Sequence, residues 1–103
     1  MKLIFVFFVL LLFGCASTGG YHVEKAEFEA AQRIDTVEAY DSFLVKHPNS
    51  AWKSNVVYFR DKAAYNAALT SHDVDQLREF VRKYPNSDWA EQARYYIKYG
   101  FGK

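Results

Sequence analysis

The chain has 103 residues, with 13 Lys and Arg against 12 Asp and Glu, a formal net charge of +1. That balance gives no basic excess with which to attract nucleic acid or an anionic lipid surface. A single cysteine excludes an internal disulfide, and the length suits one small domain.

The first element in chain order is a leader. Met1-Lys2 supplies a positive charge, and Leu3–Phe13 is an unbroken apolar run. The run is shorter than the about 20 residues a helix needs to cross a bilayer. A basic start, a short apolar run and then small residues have the layout of a secretory signal peptide. The run closes on Leu12, Phe13, Gly14 and Cys15, the chain's only cysteine. These residues resemble the lipobox of bacterial lipoproteins, with Leu12 at −3 and Gly14 at −1 of the modified cysteine. The resemblance implies cleavage after Gly14 and a covalent lipid on Cys15; the alternative is ordinary signal cleavage after Ala16, which leaves no lipid. In Gram-negative lipoproteins an Asp at the position after that cysteine favours the inner membrane. Ala16 stands there, so the resemblance implies the outer membrane, periplasmic face. Anchoring of this kind draws ~0.8 kcal/mol from each buried CH₂. The division the resemblance implies is a signal peptide (1–14), a lipidated cysteine with a flexible tether (15–21) and a folded domain (22–103).

From Tyr21 to Tyr99 there is no glycine, and the only prolines are Pro48 and Pro85. So long a stretch without glycine argues for helices, because tight β-hairpins need residues that accept positive φ. The first expected helix, about 22–33, leads to a second, about 36–47, whose start has the capping-box pair Asp35 and Glu38. Val37, Tyr40, Phe43, Leu44 and His47 form its apolar stripe. Pro48 then blocks continuation and pushes His47 out of the α region, while the Ser50 hydroxyl can cap a new start. A third helix, about 51–69, carries Trp52, Val56, Phe59, Ala63 and Ala67 on one face. A fourth, about 74–84, starts at the pair Asp73 and Gln76 and buries Leu77, Phe80, Val81 and Tyr84. Pro85 and Ser87 repeat the stop and restart, and a fifth helix, about 88–99, presents Trp89, Ala93 and Tyr96. Lys46, Arg82 and Lys83 fall in last turns, and Asp88 and Glu91 in a first turn, as helix dipoles favour.

The second half repeats the first. "FLVKHPNSAW" at Phe43–Trp52 returns as "FVRKYPNSDW" at Phe80–Trp89, a spacing of 37 residues. Paired helices at this period belong to helical repeat arrays. Trp52 and Trp89 near helix starts, the closing prolines, and Phe59 and Tyr96 at the aromatic position resemble tetratricopeptide-like repeats. "F-x-x-x-[HY]-P-N-S-x-W" and "NSDWAEQARY" resemble the repeats of BamD-like lipoproteins of the β-barrel assembly machinery and CpoB-like proteins associated with Tol–Pal. The resemblance covers about Glu24–Tyr99. It implies an all-α fold of helical hairpins, roughly two and a half repeats, working in protein–protein interaction.

Catalytic and metal motifs are missing from the sequence. There is no G-x-S-x-G, no glycine-rich phosphate loop and no H-E-x-x-H, and His22, His47 and His72 lie in separate segments without zinc-site spacing. The expectation is therefore no enzyme, no small-molecule substrate, no metal and no cofactor beyond the lipid on Cys15. Tyrosine is the remaining signal. Tyr58, Tyr65, Tyr95, Tyr96 and Tyr99 cannot all face one thin core, since neighbours on a helix diverge by about 100°. Tyr58, Tyr65, Tyr95 and Tyr99 are the candidate partner-binding residues, because Tyr joins an apolar body to a polar tip; the alternative is that they fill gaps between helices. The expected partner is a protein of the envelope or a second copy of the chain. The alternative function is a small structural envelope lipoprotein or inhibitor without a scaffold role.

Overall fold

The first four helices end at two kinds of stop, neither of which uses glycine, and the fifth ends at Gly100 with φ +87°. The computed structural model describes residues 20–101, which form five helices and short turns, with no strand among them. They are α1 (Gly20–Ile34), α2 (Val37–Lys46), α3 (Lys53–Thr70), α4 (Val74–Lys83) and α5 (Ala90–Tyr99). The signal peptide and Cys15 lie outside the described residues. Gly20 and Tyr21, expected in the tether, are instead the first residues of α1. The physical reason is a contact: the Tyr21 ring packs 5.4 Å from that of Trp52, which holds the first turn in place.

The stops of α1 and α3 are left-handed residues. Asp35 has φ +57° and His72 φ +56°, and they stand 37 residues apart. Asp and His are among the few side chains that tolerate this region, where glycine would be the usual choice. The geometry corrects the reading of Asp35 as a cap. Thr36 is the N-cap of α2, its side chain accepting from the Ala39 amide at 3.2 Å. A residue at positive φ cannot hold the extended conformation an N-cap needs. Asp35 instead accepts a 2.6 Å hydrogen bond from the Tyr40 hydroxyl. Asp73 does cap α4, through the Asp75 amide at 2.9 Å.

The stops of α2 and α4 are the residues before proline. His47 (φ −130°, ψ 69°) and Tyr84 (φ −129°, ψ 62°) leave the helix in nearly the same conformation. Ser50 and Ser87 then accept from the amides of Trp52 and Trp89 at 3.0 and 3.1 Å, which turns the chain into α3 and α5.

Two clusters of buried side chains lie along the row of helices. The first gathers Phe28, Ala31, Tyr40, Phe43 and Val56; the second gathers Tyr65, Ala68, Leu77, Phe80 and Ala93. Helix α3 serves both. Its first half faces α1 and α2 with Val56, Phe59 and Ala63, and its second half faces α4 and α5 with Ala64, Tyr65 and Ala68. This rotation of the apolar stripe is why Ala67, expected on the core face, is exposed while Ala68 is buried.

The two halves use matched aromatic contacts. Trp52 packs on Tyr21 and Phe28, with ring centroids 5.4 and 5.7 Å away; Trp89 packs on Tyr58 and Tyr65 at 5.7 and 5.6 Å. Both tryptophans are half-buried, and both indole N–H groups are buried without a hydrogen-bond partner.

Candidate functional site

Of the four tyrosines singled out by sequence, the structure brings Tyr95 and Tyr99 together and separates the others. Four residues apart on α5, their rings lie 4.9 Å from each other, and they are 59% and 64% exposed. Asp88, Glu91, Gln92, Arg94, Tyr96 and Lys98 complete this open face, a groove of about 670 Å³. Every one of these residues belongs to α5 or its lead-in turn, so the feature is a helix surface and not an enclosed cavity. Ala90 and Ala93 occupy the opposite, buried side, where small residues let α5 approach α3 and α4.

Tyr58 is 39% exposed and leans on Trp89, so its ring is part open and part packed. Tyr65 must be removed from the candidates. It is 5% exposed, packed between Trp89 and Phe80, and belongs to the second core. Both lie on α3, but Tyr65 falls on the side turned toward α4. Cys15 is outside the described residues.

A further exposed tyrosine, Tyr21 at 56%, was not expected. Its signal was in the sequence: Tyr21, Tyr58 and Tyr95 are spaced by 37, the interval of the repeated phrase. They occupy corresponding places on α1, α3 and α5.

Two polar clusters tie neighbouring helices together. His47 at the end of α2 meets Glu27 of α1 at 2.5 Å and Glu24 at 3.6 Å, with Lys46 adding a 3.1 Å bond to Glu27. Desolvation would raise the Glu27 carboxyl, but the hydrogen bonds from His47 and Lys46 outweigh it and hold the group below its ordinary value. Between the two halves, Arg60 donates from Nε and Nη2 to one Asp61 oxygen at 3.1 and 3.0 Å, and from Nη1 to Asp41 at 3.4 Å. Its guanidinium lies 4.8 Å from the centre of the Tyr84 ring. Asp61 is the one buried charged side chain among the described residues. Burial raises its pKa; Arg60 opposes that, and the nearby charges of Asp88 and Asp41 add to it.

Both clusters are stitching, with each member engaged by a packed neighbour. Among the described residues no group of three or more His, Cys, Asp or Glu is arranged to hold a metal ion, and no helix is long and apolar enough to cross a membrane. No family model, curated protein or solved structure matches the chain.

Proposed function

We propose that the protein is a lipid-anchored, periplasm-facing interaction module of the cell envelope, with tetratricopeptide-like helical hairpins as its body and an accessory role in outer-membrane or cell-wall assembly. The observation that carries the reading is the Tyr95–Tyr99 pair, two large exposed rings side by side on one helix face flanked by charges. Tyrosines so placed offer contact area at low entropic cost, as interfaces require. The anchor rests on the lipobox-like residues ending at Cys15, and the repeat reading on the matched tryptophan contacts in the two halves. The work is done by surface complementarity and tethering, with no bond made or broken.

The test uses the tagged full chain in its own envelope. After mild cross-linking and solubilisation, it should co-purify with a stoichiometric protein partner or with itself, and Tyr95→Ser with Tyr99→Ser should lose that complex. Recovery of the chain alone, unchanged by the substitutions, would overturn the reading.

A further inference from the structure

We infer that α5 pairs antiparallel with α5 of a second copy, across a two-fold axis near Gln92 and Tyr95. The inference deepens the interaction reading by naming the partner of the same face.

The first observation is the fate of the three equivalent tyrosines. Tyr21 takes the Trp52 ring and Tyr58 takes the Trp89 ring. The chain has two tryptophans, and both are engaged. Tyr95, the third of the series, touches only Tyr96 and Tyr99 of its own helix among the described aromatic contacts. Tyr95 presents its ring as those two do, and no third indole meets it.

The second observation is the order of charges along that face. Acid comes first, at Asp88 and Glu91, and base later, at Arg94 and Lys98. Asp88 and Lys98 make no ion pair among the described residues, and Glu91 has only a loose 3.8 Å contact with Arg94. A helix that is acidic at one end and basic at the other complements itself only when reversed. In a parallel pair the two acidic ends would lie side by side, as would the two basic ends. Antiparallel, with Asp88, Gln92, Tyr95 and Tyr99 along the seam, Glu91 faces the partner's Lys98 on both sides of the axis. Tyr95 then lies over the partner's Gln92, and the Tyr99 hydroxyl can donate to the partner's Asp88. The opposed helix dipoles add to the attraction. A two-fold contact also closes on itself and does not propagate into a fibre.

Size sets the strength. A helix of 10 residues spans about 15 Å, so the contact is well below the ~800 Å² per partner of a stable complex. The dimer is accordingly weak, with a dissociation constant on the order of micromolar or above.

The experiment is sedimentation of the full chain in density-matched detergent over a concentration series, with helical content and melting followed in parallel. The wild type should pass from monomer to dimer. Glu91→Lys and Lys98→Glu, each placing like charges opposite one another twice, should each weaken the dimer by about tenfold or more. The double variant, E91K with K98E, restores opposite charges in the same geometry and should recover dimerisation. Tyr95→Ser should abolish it by removing the central ring. These positions are exposed, so the melts should fall only slightly, by the loss of favourable charges at the helix ends, and equally at all concentrations. A chain that is monomeric at all concentrations, single variants that dimerise normally, or a double variant no better than the singles would overturn the inference. A monomeric chain that still binds a different envelope protein through Tyr95 would overturn it while leaving the interaction reading standing.

Discussion

Replacing the tryptophans tests the packing with two substitutions of different kinds. Trp89 is half-buried, stacked 5.6 Å from Tyr65 at an interplanar angle of 16° and 5.7 Å from Tyr58. Truncating a fully buried Trp to Ala costs about 3–5 kcal/mol, and the partial exposure here lowers that to about 2–3 kcal/mol. The indole N–H works in the other direction. It is buried without an acceptor, a state that costs roughly 1–3 kcal/mol. Trp89→Phe keeps an aromatic ring on Tyr65 while removing the orphan donor, so lost volume and relieved desolvation nearly cancel. The expected outcome is a Phe variant within about 1 kcal/mol of the parent and an Ala variant well below it. Trp52, with the same contacts to Tyr21 and Phe28 and the same orphan donor, should give the same pattern. Equilibrium denaturation by urea, followed by far-ultraviolet circular dichroism, measures each difference. Ala variants with the parental midpoint would show that the rings do not hold the clusters together. Phe variants as weak as Ala would show that the indole nitrogen is bonded in the folded protein.

Tyr40 is fully buried, and its hydroxyl donates to Asp35 at 2.6 Å, so Tyr40→Phe should cost about 1.5–3 kcal/mol of unfolding free energy; a neutral result would mean that the bond does not form in solution. Asp61 has a folded pKa raised above 3.8, so the folded state holds its proton more tightly than the unfolded state does. The resulting penalty is absent at low pH, grows as pH rises through the folded pKa, and is complete above it. Asp61→Asn should therefore raise the thermal midpoint at neutral pH and give no gain below about pH 3, whereas a lower midpoint at neutral pH would mean that the Arg60 pair outweighs the desolvation. Cys15→Ser should abolish incorporation of labelled palmitate and leave the precursor uncleaved; normal labelling in that variant would rule out Cys15 as the lipidated residue.

The helices were legible because the punctuation was. Pro48 and Pro85 with their serines mark one kind of boundary, and α2 and α4 end within one residue of where those prolines place them. The other boundary was read one residue off at Asp35. A capping-box search sees an acid three residues before Glu38, but not that the backbone at Asp35 turns left-handed to close the preceding helix. Comparing the two halves residue by residue would have found it, since Asp35 aligns with His72 and Thr36 with Asp73. The candidate surface was half legible. Closely spaced tyrosines imply that some are exposed, and the structure selects Tyr95 and Tyr99. That Tyr65 is buried could not be read from α3 alone, because this helix packs on two clusters and its apolar stripe changes side between Phe59 and Ala64. The Arg60–Asp61–Asp41 bridge joins α2 and α3 across 19 residues of sequence and depends on how the halves pack.

On the reading proposed above, the protein acts through the exposed tyrosine face of α5. A photo-reactive phenylalanine analogue placed at Tyr95 or Tyr99 and irradiated in intact envelopes tests it most directly, with Asn66, an exposed residue on α3, as the control position. Discrete cross-linked species from positions 95 and 99, absent from position 66, are the predicted result. Adducts no more abundant at 95 and 99 than at 66 would mean that this face meets no partner.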